Sequence, residues 1–164
     1  MTLADIRLLF EFNYWAKASM LGAVDSLPEA ELYKDLKTSF KSVHGTILHI
    51  CSAENNWLQR STGNPSPKSL RIEDFPDYAA VKAKWVLVES GVVNHINSLT
   101  EEQLQQSFSF TTSDGKSVPT VRWHALQHMV NHGTYHRGQV TSMIRQLGGT
   151  PVSTDLIASY RQRV

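Results

Sequence analysis

A chain of 164 residues, 41% hydrophobic and 19% charged, can bury one core but is too short to divide comfortably, so residues 1–164 read as a single globular domain. A formal net charge of +1 offers no global attraction to nucleic acid or anionic membrane, and no apolar run approaches the ~20 residues of a membrane span. The single Cys51 excludes an internal disulfide, and Asp5, Arg7 and Glu11 are foreign to a signal peptide, so a cytoplasmic location is expected.

Thr2-Leu3-Ala4-Asp5 reads as a capped helix start, after which Ile6, Leu9, Asn13, Ala16, Met20 and Val24 recur at helical spacing to about Ser26. Asn13 falls on that apolar stripe, where its amide must find a partner; an interhelical hydrogen bond is expected ahead of a part in a site. Ser26 to Glu29 starts a short helical turn, with Pro28 suited to its opening.

A second long helix is expected from about Ser39 to Arg60. Its apolar residues cover more than one stripe, so it should be packed on two sides. Projection at about 100° per residue groups His49 with Ser42, Thr46, Ala53 and Asn56, away from Phe40, Cys51 and Leu58. Those small neighbours leave room for an ion, and the opposite face is a candidate subunit contact.

Residues 61–76 form a Pro/Ser/Gly loop. Tyr78, Val81, Trp85, Val88, Val92 and Ile96 predict a third helix ending near Ser98, with His95 at the edge of its stripe. Thr100 to Gln103 caps another short turn, and the alternation Ser107 to Thr111 before Asp114-Gly115 predicts a β-hairpin. Pro119-Thr120 is expected to open the longest helix, which runs to Leu147 and stops at Gly148-Gly149; Asp155 to Tyr160 make a tail helix. The fold class is therefore all-α: a four-helix bundle with short extra helices and a small β-hairpin before the last long helix.

That last helix holds four of the seven histidines, His124, His128, His132 and His136, at intervals of four. Each step turns about 40° and rises about 6 Å, so adjacent members can chelate one ion and all four cannot. Measured from the mean apolar direction, His136 lies at about 40°, His132 at about 80°, His128 at about 120° and His124 at about 160°. His132 and His136 should face the interior and His124 the solvent. His128 is intermediate, either an edge residue or a support behind the ligands.

A tetrahedral catalytic ion usually takes three protein ligands, so a third must come from another helix. His49 is the better candidate and His95 its rival; His44 lies nearly opposite His49 and cannot serve with it. The competing explanation is that such spacing arises by chance and that buried histidines simply make hydrogen bonds. No Cys-x-x-Cys, phosphate-binding glycine loop, Gly-x-Ser-x-Gly or His-Glu-x-x-His pattern offers another chemistry.

Asn131-His132-Gly133-Thr134-Tyr135-His136-Arg137-Gly138-Gln139 resembles the Asn-His-x-x-x-His-Arg-Gly-Gln signature of the DNA-damage-inducible DinB family, which is distinct from the DNA polymerase of similar name. Asn13 to Ala16, Thr46 to Leu58 and Leu147 to Ile157 are similar to further motifs of that family, in the same order. The resemblance implies a four-helix bundle, commonly a homodimer, in which three histidines hold a divalent metal, often zinc or nickel. Carried onto this chain, the ligands are His49, His132 and His136. Relatives include thiol S-transferases, which implies a metal-dependent enzyme activating water or a low-molecular-weight thiol against a small-molecule substrate. The alternative is a non-catalytic metal- or ligand-binding stress protein whose ion is structural, a role usually marked by a fourth protein ligand. Around the ligands, Gln139 is placed to fix an imidazole or the bound ligand, and Arg137 is expected to form a structural ion pair with Glu54. No partner in nucleic acid is expected, because no basic stripe or aromatic platform is legible.

Overall fold

Thr2 caps the first helix as expected: its hydroxyl accepts from the Asp5 N–H at 3.2 Å while the Asp5 carboxylate accepts from the Thr2 N–H at 2.8 Å. This helix, α1 (Leu3–Val24), opens a computed structural model that describes residues 1–161. A 3-10 turn, Glu29–Tyr33, leads to α2 (Val43–Ser61), and a second, Ile72–Asp74, precedes α3 (Tyr78–Ser98). The short α4 (Glu101–Gln105) and the antiparallel strands β1 (Ser107–Thr111) and β2 (Ser117–Val121) come next. The longest helix, α5 (Arg122–Gln146), and the tail helix α6 (Leu156–Arg161) complete the described residues. Gly148 takes the left-handed conformation at the end of α5, and the Gly149 N–H closes back on the Ile144 carbonyl at 2.9 Å.

The four long helices form a ring in which α5 packs against both α1 and α2, and α3 against the same two from the other side. Consecutive α1 and α2 therefore lie across the diagonal. Helix α2 is covered on two sides, as its apolar pattern predicts, but the face away from His49 is no free subunit contact. It meets α3: Leu58 approaches Gly91 and Ser61 bonds His95. Ile6, Met20, Ile47, Trp85, Leu126 and Ile144 are among the fully buried residues of the core.

Two boundaries differ from the sequence expectation. Helix α2 starts at Val43 rather than near Ser39, because Ser42 caps it and the preceding loop carries positive φ at Lys37 and Lys41. That loop folds back on the helix so closely that a Cβ at Gly45 would meet the Phe40 carbonyl oxygen at 2.2 Å. Helix α5 starts at Arg122, and Pro119 lies within β2 opposite Ser109. In a two-stranded ribbon every strand has an open edge, where a missing N–H is tolerated.

A polar knot crosses the core and ties all four long helices. Asn13 of α1 donates to Glu54 of α2 at 2.9 Å and accepts from Arg137 of α5 at 2.7 Å; Trp85 of α3 donates to the second Glu54 oxygen at 2.9 Å. Arg137 also donates to Thr134 at 2.8 Å. The expected Arg137–Glu54 ion pair is thus a relay through Asn13, whose amide bonds both side chains. Asn13 accordingly is interhelical glue. Burial pushes the Glu54 carboxyl above its ordinary value against the pull of these donors, and pulls Arg137 down to about 10 against the Glu54 charge. Gly133 is required here: a Cβ would stand 2.8 Å from an Arg137 nitrogen and 3.0 Å from the Asn13 oxygen.

Candidate metal centre

The adjacency of α2 and α5 brings His49 against His132 and His136. The His49 Nε2 lies 3.1 Å from the Nε2 of His132 and 3.2 Å from that of His136. Nitrogens bound to one tetrahedral zinc at 2.0–2.1 Å stand about 3.3 Å apart, so the spacing suits chelation. Among the described residues these three are the cluster of potential ligands, and no fourth His, Cys, Asp or Glu joins it.

The electrostatics point the same way. The Gln139 Oε1 lies 2.8 Å from the His136 Nδ1. An amide oxygen only accepts, so Nδ1 carries the proton and the Nε2 lone pair faces the cluster. Burial, then the neighbouring His136, lowers His49 to about 4; burial, then His136, His49 and His128, lowers His132 to about 4. Both rings are therefore neutral near pH 7, and three imidazoles with facing Nε2 atoms and no carboxylate form a donor set that fits a divalent cation.

The projection order holds in three dimensions. His136 is buried, His132 half-buried, and His128 and His124 exposed. His128 stands at the rim, its ring 5.8 Å from His132 and 5.2 Å from Trp57. The rival His95 is turned away, its Nε2 2.8 Å from the Ser61 hydroxyl. His44 is buried 5.0 Å from the Tyr33 ring, apart from the cluster. Of the supporting candidates, Gln139 touches an imidazole, whereas Asn13, Glu54 and Arg137 belong to the central knot.

Sequence reasoning missed Phe40. Helical projection had placed it away from His49, yet it precedes the helix, and its ring stacks on His49 at 3.8 Å and 15° and meets His136 edge-on at 5.5 Å. The positive φ of non-glycine Lys37 and Lys41 leaves no signal from which this return could be read.

Fold and site together define a class: a helical bundle whose neighbouring helices converge three imidazoles at chelating distance. The chain belongs to the DinB family, whose model matches residues 2–163. It is 24% identical over 161 residues to Protein DinB of Bacillus subtilis strain 168, covering 90% of this chain and 88% of that one. A DinB-like protein from Bacillus cereus has a crystal structure similar to this one with a TM-score of 0.64 at 21% identity, over 85% of this chain and 91% of that one. YfiT from Bacillus subtilis, described as a probable metal-dependent hydrolase with an unusual four-helix bundle topology, aligns with a TM-score of 0.60 at 18% identity, over 88% and 86% of the two chains. These structural likenesses establish the shared fold. Among the described residues no helix is long and apolar enough to cross a membrane.

Proposed function

We propose that this protein is a metal-dependent enzyme, a hydrolase or a thiol-dependent S-transferase, in which His49, His132 and His136 hold one divalent cation, zinc or nickel. The convergence of three Nε2 atoms at 3.1 and 3.2 Å carries the reading. The description of YfiT as a probable metal-dependent hydrolase supports it. When bound, such an ion supplies Lewis acidity, lowering the pKa of a coordinated water or thiol so that a nucleophile is present at neutral pH.

The chain's own groups do the rest. Gln139 holds His136 in the tautomer that points its lone pair inward. Phe40 walls one side of His49, excluding water from that flank and fixing the ring plane. With three ligands in the cluster, a position stays open for a small-molecule substrate or its nucleophile, which favours catalysis over a closed structural site.

Elemental analysis tests the reading. Wild-type protein should carry one equivalent of metal and His136→Ala substantially none, with circular dichroism showing an intact bundle. Full occupancy in His136→Ala would remove the site. Turnover is then sought by offering the loaded protein ester and amide substrates in water, and electrophiles with a panel of low-molecular-weight thiols.

A further inference from the structure

Among the described residues Arg60 forms an ion pair with no carboxylate. It lies eleven residues beyond His49 on α2, a spacing that returns to the same face within about 20° and about 16 Å further along the axis. Between them Ser52, Ala53, Asn56 and Trp57 line a cavity of about 710 Å³, which His49 and Phe40 border toward one end and Arg60 toward the other. Side chains at both positions lean toward the helix N-terminus, and the longer Arg60 arm narrows the gap only by its extra reach.

The guanidinium is held in place but not neutralised. It lies 4.8 Å from the Trp57 ring centroid and 4.9 Å from that of Phe110 on β1. Its Nε is buried without a hydrogen-bond partner, and the residue lines the cavity. Burial alone lowers its pKa, with no carboxylate opposing the shift. Asp35, the acid that lines the same cavity, is bound by its own neighbour: the backbone N–H and Nζ of Lys37 donate to it at 2.8 and 3.0 Å. A second guanidinium, Arg122, stacks 5.8 Å from Phe108 and lines an adjoining cavity of about 660 Å³ that shares Arg60 as a wall. The nearby His128 is an imidazole, neutral or cationic, so it supplies no negative charge to Arg60 in either state.

Desolvating an arginine without a partner is costly, and its planar fork matches a carboxylate or phosphate in two parallel hydrogen bonds. We propose that the substrate of the histidine centre is an elongated organic anion, whose carboxylate or phosphate end is taken by Arg60 while its reacting end meets the imidazole cluster. The identity of the reacting end rests on the metal-centre reading above; the anion preference of Arg60 does not.

The test is calorimetric titration of zinc-loaded protein with two probes of equal length, octanohydroxamate and the monohydroxamate of suberic acid. Both present a metal-binding hydroxamate, and one adds a distal carboxylate. Wild type should bind the acid-ended probe at least about tenfold more tightly. Arg60→Gln should bind the two equally while keeping its octanohydroxamate affinity, which reports an intact site, and Arg60→Lys should recover part of the preference. Equal binding by wild type, no binding of either probe, or a preference that survives in Arg60→Gln would overturn the proposal. In His136→Ala both probes should weaken with the carboxylate preference retained. If that variant instead keeps wild-type zinc content and affinities while Arg60→Gln loses the preference, the anion site stands and the metal reading fails.

Discussion

His136 and Arg137 are neighbours in the chain and face two different polar clusters. Arg137 enters the core, where Asn13, Glu54, Trp85 and Thr134 form a chain of donors and acceptors that leaves only the Arg137 Nε without a partner in it. His136 faces His49 and His132, where three Nε2 atoms converge, and its bond to Gln139 lies at the outer side of the ring. Both clusters are built on α2 and α5, so the packing that closes one also assembles the other. A network that bonds its own members in a core is a structural device, and its worth shows when a member is removed. Three imidazole nitrogens at chelating distance are a donor set for a cation, so their worth appears when one is added. The two should therefore separate cleanly by experiment.

The largest effect is expected at the knot. Arg137→Met leaves the Asn13 oxygen without its donor and removes one of the two cations, with Lys17, that act on the buried Glu54, and should cost about 3–5 kcal/mol of stability, or roughly 10 °C in Tm for a chain of this size. Urea unfolding of metal-free protein reads it. The folded fraction should still bind zinc, and a loss below about 1 kcal/mol would mean that the knot is not what ties the helices.

A smaller effect, confined to the other cluster, is expected from Gln139→Leu. Losing the bond that sets the His136 tautomer should weaken zinc binding by about 10- to 100-fold, while metal-free stability stays within about 0.5 kcal/mol. Competition with a chromophoric chelator measures the first and urea unfolding the second. Unchanged zinc affinity would take Gln139 out of the site.

The smallest change is expected under mild acid. Unfolded histidines take up protons near the ordinary value of about 6.5, whereas His49 and His132 in the folded metal-free protein do so only at about 4. Well above the ordinary value both states are unprotonated, and this pair leaves stability flat. As pH falls from there toward 4 the unfolded state binds more protons, so stability declines through that window. Replacing both histidines by Gln should flatten the decline, as followed by thermal melts at a series of pH values; an unaltered slope would show that the pair is not responsible.

Much of this was legible in the chain. The capping box at Thr2 and Asp5, the stripe from Tyr78 to Ile96 and the Gly148-Gly149 stop are local signals, written in the residues that form them. The ranking of His136 and His132 over His128 and His124 followed from helical periodicity alone, because facing within one helix depends only on spacing. Pro119 was misplaced because its ring suits a helix's first turn and an open strand edge equally well, and pairing with Ser109 decided between them.

What the sequence by itself determined, then, is each element and the direction each histidine faces on its own helix, since both follow from short-range sterics and a fixed rise and turn per residue. Only the tertiary structure decided which helices become neighbours. That choice placed His49, eighty-three residues from His132, at 3.1 Å from it while turning His95 to Ser61. It also interposed Asn13 between Arg137 and Glu54 and laid Phe40 over His49. Such contacts depend on how apolar faces pack across the whole bundle, and no local spacing encodes them.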